Sequence, residues 1–195
     1  MNTVLHMQPS VRYAGPADEQ EVIRLLLLSH AENGIQRASN AKVLMHVKRY
    51  IWPHLIPDND LGPRGCFGVI GTVGALEAVI MITIGGYWYS DDKHLEEYLV
   101  FVDPNYRWGD TRHGILLLEW AKQRARECGL KLLTGIMSNN RTEAKCRLYR
   151  RRMTKIGEFF LFNGSETEPD FNSDLMTGKP GPRLVQSSSA ATASM

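Results

Sequence analysis

Residues 98–128 change from a strand-like to a helix-like pattern across one polar loop. Residues 98–102 are continuously apolar and rich in β-favouring side chains, which is typical of a strand buried on both faces. After the loop, apolar side chains recur at helical spacing, at Ile115, Leu117, Leu118, Ala121 and Ala125. The pattern therefore predicts a central strand, a loop and an amphipathic helix.

The same kinds of pattern predict further elements on both sides of this unit. Before it come a short strand at 10–13, a helix after Asp18, a helix from Ser39 or Asn40 to about residue 51, and a hairpin of residues 66–73 and 76–84. After it come a strand at 130–137, a helix at 142–152 and a Phe-rich strand at 155–162. Two strands separated by one helix favour parallel pairing. The prediction is an α/β (α+β) fold in which helices flank a mixed, mostly antiparallel central sheet with one β-α-β crossover.

The composition is that of a globular protein. The 195 residues are 43% hydrophobic and 23% charged, and the formal net charge is +2. No apolar run reaches the roughly 20 residues of a membrane helix, and residues 1–10 lack a secretory pattern, so we expect a cytoplasmic protein without a membrane partner. The three cysteines show no paired metal-ligand spacing, and no metal site is predicted. We expect one domain at 1–163 and a flexible tail at 164–195, where small and polar residues predominate.

The loop between the central strand and its helix has the chemistry of an anion site. The first turn of a helix carries N–H groups without intrahelical partners, and the helix dipole favours negative charge there. The loop also contains glycines and residues with hydroxyl or guanidinium groups, at Arg107, Gly109, Thr111, Arg112 and Gly114. Arginine can pair with phosphate oxygens through forked hydrogen bonds, so a pyrophosphate suits this loop. The alternative is an ordinary turn whose polar residues face water.

The order of the predicted elements, together with two motifs, resembles the GNAT superfamily of acyl-CoA-dependent N-acetyltransferases. The likeness covers about residues 11–162. Residues 102–107, Val-Asp-Pro-Asn-Tyr-Arg, look like the end of the family's fourth strand and the start of its pyrophosphate loop. Asn140, Ala144, Leu148 and Tyr149 resemble a pattern on its later helix. Residues 138–162 are similar to GNAT-like proteins encoded by tailed bacteriophages, for which the location would be the host cytoplasm.

The resemblance implies acetyl-CoA as the acyl donor and direct transfer of its acetyl group to an amine. The backbone near Phe101 and Val102 would pair with the pantetheine arm, and an N–H there would help to hold the developing oxyanion. Asn140 would bond the cofactor's amides or cap the helix, and His113 would lie near the phosphates. The expected cofactor-binding residues are Phe101, Val102, Arg107, Gly109, Thr111, Arg112, His113, Gly114 and Asn140.

Three side chains are candidates for the acid-base chemistry. Glu96 and Glu97 are adjacent, so strand alternation places them on opposite faces and only one can face the cleft. Glu97 is the first candidate for the general base and Glu96 is its rival, although both could be solvated carboxylates at a strand end. Tyr149 matches the tyrosine that many members of the family use as acid towards the sulfur, and a phenol is protonated at neutral pH. A half-buried structural tyrosine is the alternative.

The later helix is strongly basic, which bears on possible partners. Lys145, Arg147 and residues 150–152, with Arg141 before them, could meet the adenosine 3′-phosphate, nucleic acid or an acidic partner, or could simply form a solvated face. No aromatic residues alternate with these basic residues, as they would in a surface that binds nucleic acid. Nucleic acid therefore ranks below the cofactor as the partner of this helix. The expected partners are an amine-bearing small molecule or protein and a possible homodimer. Because the loop after Arg107 departs from the family's glycine spacing and contains the carboxylate of Asp110, the second hypothesis is a catalytically inactive GNAT-like phage protein that acts as a binding or virion-associated module.

Overall fold

A computed structural model describes residues 9–33, 39–51, 65–108, 112–136 and 141–157. The described residues up to Lys155 form one compact unit. The predicted change from domain to tail after residue 163 lies outside the described residues and stays a prediction.

Within the described ranges, five strands form one sheet in which neighbouring strands also follow one another along the chain. They are β1 (Arg12–Tyr13), β2 (Gly65–Thr72), β3 (Ala75–Gly86), β4 (Lys93–Val102) and β5 (Lys131–Thr134). The pairs β1–β2, β2–β3 and β3–β4 are antiparallel, whereas β4–β5 is parallel. The predicted hairpin, crossover and mixed, mostly antiparallel sheet are therefore confirmed.

The part of the chain that the structure describes also contains four α-helices: α1 (Glu19–Asn33), α2 (Asn40–Tyr50), α3 (His113–Glu127) and α4 (Thr142–Arg150). The start of α2 is marked by Ser39, whose side chain accepts a hydrogen bond from the Lys42 N–H. Short 3-10 turns lie at Pro16–Asp18 and Pro104–Tyr106. Of the last predicted strand, residues 155–157 are described and have no strand structure, and the remainder lies outside the described residues.

Successive side chains of β2 and β3 point to opposite faces of the sheet, so the core has two layers. On one face, Phe67, Val69 and Val79 pack with α1 and α2. On the other face, Ile80 and Ile82 pack with α3. Both faces of the central strands are covered, which explains why residues 99–102 are all apolar instead of alternating.

A β-bulge in β4 decides which of its side chains share a face. Met81 is opposite Leu99 and Ile82 is opposite Glu97, so Tyr98 is an extra residue on β4. Tyr98 is 60% exposed, and the expectation that the whole run 98–102 is buried is wrong at this residue. Directly opposed residues share a face of a sheet. Glu97 therefore lies in the α3 layer with its partner Ile82.

Three charged residues, Glu21, Arg24 and Asp103, form an ion-pair cluster that ties α1 to the end of β4. Arg24 donates to both carboxylate oxygens of Glu21 and, at 2.6 Å, to Asp103 Oδ2. Arg24 also donates to the Leu76 carbonyl, and the Leu76 N–H donates to Glu21. The second carboxylate oxygen of Asp103 accepts from the Asn105 N–H at 2.9 Å. The cluster thus holds the point where the chain leaves β4 for the loop before α3.

Gly68 on β2 leaves room for the Trp120 ring of α3. A Cβ added at Gly68 would lie 2.7 Å from Trp120 Cζ3 and 2.9 Å from Ile80 Cγ2. Gly68→Ala is therefore expected to lower the free energy of unfolding by about 1–3 kcal/mol, because the ring between helix and sheet must move. Urea unfolding measures the loss. Gly15→Ala is the matched control, since nothing lies within 4 Å of its added Cβ, and equal stability of the two variants would contradict this packing.

Candidate active site

The second half of β4 has an open edge beside a cavity. β5 pairs with β4 only from His94 to Glu97, and no other described strand pairs with residues 98–102 on that side. The peptide groups of an unpaired edge can bond an extended ligand. The cavity has a volume of about 200 Å³. Its walls come from the end of α1, residues 100–102, Arg107, Gly114 at the start of α3, and α4 with Arg141 before it.

Glu97 and Tyr149 form a buried pair between β4 and α4. The Tyr149 hydroxyl donates a hydrogen bond of 2.5 Å to Glu97 Oε2, and the two residues are 9% and 8% exposed. Burial raises the pKa of Glu97 to about 7, although the hydrogen bond from Tyr149 and the charge of Lys145 oppose the shift. Burial and the neighbouring Glu97 also raise the pKa of Tyr149, so the phenol stays protonated. The pair combines a carboxyl group that titrates near neutral pH with a proton donor.

Lys145 connects this pair to the cavity. It lies four residues before Tyr149 on α4, so the two side chains share one face of the helix. Lys145 also lies in the cavity wall. Partial burial lowers its pKa, and the charges of Glu97 and Glu32 partly offset this effect. The ammonium group is therefore within electrostatic range of the Glu97 carboxyl.

Arg141 precedes α4 in a strained backbone conformation. Its φ of 61° lies in the left-handed region, which residues other than glycine rarely adopt. Such a conformation costs on the order of 1–3 kcal/mol. Since Arg141 also lines the cavity, the strained N-cap residue brings a guanidinium group to the candidate site.

Arg107 is bonded to two protein groups at the end of β4. Its Nε donates to the Val102 carbonyl at 2.6 Å, and its Nη1 donates to Glu32 Oε2 at 2.7 Å. The guanidinium carbon also lies 4.9 Å from the centre of the Phe101 ring. Phe101, Val102 and Arg107, which were predicted to bind the cofactor, thus meet in one wall of the cavity. Contact of Arg107 with a diphosphate stays a prediction and would require an exchange of these partners.

The start of α3 supplies part of the predicted anion loop. Gly114 lines the cavity, and Arg112 is the exposed N-cap residue. The His113 side chain is buried, and its Nε2 lies 2.6 Å from Glu77 Oε2, so the ring is directed at β3. Gly109, Thr111 and Asn140 lie outside the described residues, and their roles stay predictions.

Glu96 lies on the face of β4 opposite Glu97. It is paired with Thr83, which belongs to the same alternating set of β3 as Met81 of the α1–α2 layer. A Cβ added at Gly85 would lie 3.0 Å from Glu96 Oε2, which puts this carboxylate beside β3. The two glutamates therefore diverge as alternation predicts. Glu97 is the one that meets α4, while the catalytic role of either residue stays a prediction.

Sequence reasoning missed two features of this site. The sequence presents Lys145 as part of a basic run, and its spacing of four residues from Tyr149 is the signal that places the two on one helix face. No sequence pattern indicates a role for Glu32. It reaches the site through Arg107, which is 75 residues away, and no local pattern reports such a contact.

The raised pKa of Glu97 predicts a specific dependence of stability on pH. The folded protein keeps the Glu97 proton up to about pH 7, whereas the ordinary pKa is 4.5, so the native state binds more protons between these values. Rising pH therefore destabilises the fold across this window. Glu97→Gln removes the titration, so the unfolding free energy of the variant relative to the wild type is expected to rise by on the order of 3 kcal/mol from about pH 5 to about pH 8.

Urea unfolding at a series of pH values measures this difference. Any constant cost of the Gln side chain cancels, because only the change with pH is compared. Glu143→Gln, at a side chain that is 72% exposed, sets the baseline for removing a carboxylate. If the free energies of unfolding of the wild type and Glu97→Gln change in parallel with pH, Glu97 ionises at its ordinary pKa in the folded protein.

Neither a metal centre nor a membrane helix occurs among the described residues. No group of three or more His, Cys, Asp or Glu side chains in the described ranges could hold a metal ion. Within the same ranges, every helix is too short or too polar to span a bilayer.

Comparison with known proteins finds similarity in structure. No protein-family model and no curated protein matches the chain. A possible acetyltransferase from Clostridium difficile 630 superposes with a TM-score of 0.58 at 14% identity, over 82% of this chain and 100% of the other. A ribosomal-protein-alanine N-acetyltransferase from Brucella melitensis biovar Abortus 2308 gives 0.56 at 12%, over 80% and 99%.

A third solved structure contains CoA. The aminoglycoside N-acetyltransferase AAC(6′)-Iy in complex with CoA has a TM-score of 0.59 at 10% identity, over 84% of this chain and 99% of the other. At such identities the likeness concerns the fold, and the three neighbours share it along nearly their whole length. The chain therefore has the fold of the GNAT acetyltransferases.

Proposed function

We propose that this protein is an acetyl-CoA-dependent N-acetyltransferase that moves an acetyl group directly to an amine. The observation that carries the proposal is the buried Glu97–Tyr149 pair at the point where β4 and β5 separate. A carboxyl group with a pKa of about 7 can take up and release a proton at neutral pH. The shared fold with acetyltransferases supports the same class of reaction.

The residues around the cavity suit a thioester donor with an extended arm and phosphate groups. Acetyl-CoA supplies an acetyl group activated as a thioester. The open edge at residues 98–102 offers peptide groups to the amides of its arm, and Leu148 offers an apolar wall. Arg112, Arg141 and the first N–H groups of α3 would hold the phosphates. Gly109, Thr111 and Asn140 are proposed to contribute with them, as the family resemblance implies.

In the proposed reaction Glu97 takes up the proton that the attacking amine loses, and Tyr149 gives its phenolic proton to the departing sulfur. The C–N bond forms as the C–S bond breaks. A backbone N–H near Phe101 stabilises the negative charge that develops on the thioester oxygen. Because Tyr149 is hydrogen-bonded to Glu97, the proton on Glu97 can return to the phenolate, and both groups are restored for the next cycle.

The acceptor is proposed to be a primary amine of a small molecule or of a protein. The structural neighbours include an aminoglycoside N-acetyltransferase and a ribosomal-protein-alanine N-acetyltransferase, which makes aminoglycosides and peptide N-termini the first acceptors to test. Phage origin, a host-cytoplasmic location and a homodimer stay predictions.

Titration calorimetry with acetyl-CoA, followed by a thiol-release assay across classes of amine, tests the proposal. We expect binding at micromolar protein and thiol release that depends on an amine. Arg107→Ala and Arg112→Ala are expected to weaken binding, and unchanged affinity in both variants would reject the diphosphate site at this loop. Absence of acetyl-CoA binding by a folded chain would reject the enzyme.

A GNAT-shaped binding module without catalysis is the second candidate. The observation that favours it is the engagement of Arg107, which covers the Val102 carbonyl on the open edge and is paired with Glu32. A module of this kind would release no heat with acetyl-CoA. It would also tolerate Tyr149→Phe without loss of its binding activity.

A further inference from the structure

We infer that Lys145 is itself an acceptor, so that the protein acetylates its own chain at this residue from a donor bound in the cavity. The inference rests on the proposed function, because it requires acetyl-CoA in that cavity. It goes further by assigning a modification site on α4. The position of Lys145 in the cavity wall and the charged groups around it support the inference.

Lys145 lies in the same cavity wall as the open edge of β4. Residues 100–102 of that edge are where the arm of the donor is proposed to lie. Lys145 also lies one helical turn before Tyr149, the proposed acid towards the sulfur. A flexible four-carbon stem carries its Nζ beyond the helix surface. Lys145 therefore borders the space in which the thioester is proposed to lie, within reach of its flexible stem.

Charged groups from several segments act on Lys145. Glu97 on β4 and Glu32 on α1 favour its ammonium form, whereas Arg107 and Arg141 disfavour it. Burial is the largest influence, and it lowers the pKa of Lys145. Because the neutral amine is the nucleophile, this environment increases the reactive fraction.

The chemical step is the proposed reaction with Lys145 as the amine. Nζ attacks the thioester carbonyl carbon, the C–N bond forms and the C–S bond breaks. Glu97 receives the proton that the nitrogen loses, and Tyr149 protonates the thiolate. The products are an acetylated lysine and CoA as the free thiol, and no further reactant is needed.

Acetylation changes the cavity itself. It removes one positive charge from the wall and adds an amide group. The modified chain is expected to bind acetyl-CoA more weakly than the unmodified chain. Self-acetylation would thus lower the affinity for the donor when no external amine consumes it.

Exposed lysines provide controls within the same molecule. Lys42 and Lys48 lie on α2 and are exposed, away from the cavity wall. Acetyl-CoA in solution can react with them only by unassisted collision. The ratio of acetylation at Lys145 to acetylation at these two residues therefore isolates the contribution of the cavity.

The test is incubation of the full chain with acetyl-CoA and no acceptor, followed by intact-mass measurement and peptide mapping. We expect one acetyl group, at Lys145, at a rate at least about tenfold above that at Lys42 or Lys48, because donor and amine are held together. The rate should saturate with acetyl-CoA, and desulfo-CoA should suppress it. Lys145→Arg should abolish the modification, and Tyr149→Phe should slow it by about 10²-fold.

Calorimetry on the same samples distinguishes failure of this inference from failure of the proposed function. If acetyl-CoA binds and external amines are acetylated while Lys145 stays unmodified, the inference is overturned and the proposed function stands. If acetyl-CoA does not bind, both are overturned. Equal rates at Lys145, Lys42 and Lys48, or modification that desulfo-CoA does not suppress, would show ordinary chemical acetylation and would also overturn the inference.

Discussion

Tyr149→Phe is expected to slow acetyl transfer by about 10²- to 10⁴-fold, with little change in the affinity for acetyl-CoA. The variant lacks the hydroxyl that donates to Glu97 and that is proposed to protonate the departing sulfur. Its ring is retained, so the packing of α4 is preserved. Steady-state kinetics measures the rate, and calorimetry measures the affinity.

Tyr13→Phe is the matched control, because the Tyr13 hydroxyl accepts a hydrogen bond from Arg124 in another part of the fold. Glu97→Gln should cause a loss of the same order as Tyr149→Phe, since an amide cannot take up the proton. Because the two groups act as one unit, the loss in the double variant should be far smaller than the product of the single losses. Equal rates for the wild type and Tyr149→Phe would remove Tyr149 as the acid. Losses that multiply would mean that the two groups act separately.

Arg24→Met is expected to lower the free energy of unfolding by about 3–5 kcal/mol, the largest stability effect predicted for the chain. Asp103 is 3% exposed, and the variant leaves its carboxylate buried without its hydrogen-bonded cation, while the charge of Arg107 still acts on it. Burial opposes ionisation of Asp103, yet hydrogen bonds from Arg24 and the Asn105 N–H bring its pKa below the usual value. Urea unfolding at neutral pH measures the loss.

The pH dependence of this loss is a further check on its cause. A carboxyl with a lowered pKa stabilises the fold above its unfolded pKa, and this contribution disappears as the pH falls through the folded value. The penalty of Arg24→Met should therefore shrink in acid, when Asp103 and Glu21 become protonated. Arg126→Met is the matched control on an exposed helix face, with an expected change within about 0.5 kcal/mol. A penalty that is constant with pH would point to lost packing instead of lost charge pairing.

Local chemistry explains why most elements could be predicted. Ser39 marks the start of α2, and the apolar run around residues 98–102 marks the central strand. The bulge at Tyr98 could not be predicted, because a register shift depends on the partner strand and leaves no mark in the strand that carries it. Its effect is large, since one extra residue reverses which later side chains share the face of Glu97.

In the candidate site, too, some features could be predicted from the sequence and others depend on the tertiary structure. Strand alternation by itself determined that Glu96 and Glu97 diverge, and the family resemblance drew attention to Tyr149. The order of elements and the crossover from β4 to β5 were likewise readable, because each depends on neighbouring residues. Only the tertiary structure decided that Glu97 meets Tyr149, 52 residues away, and that Glu97 is buried, which raises its pKa to about 7. Burial of a charge depends on every element packed around it, and a local pattern carries no information about those distant neighbours.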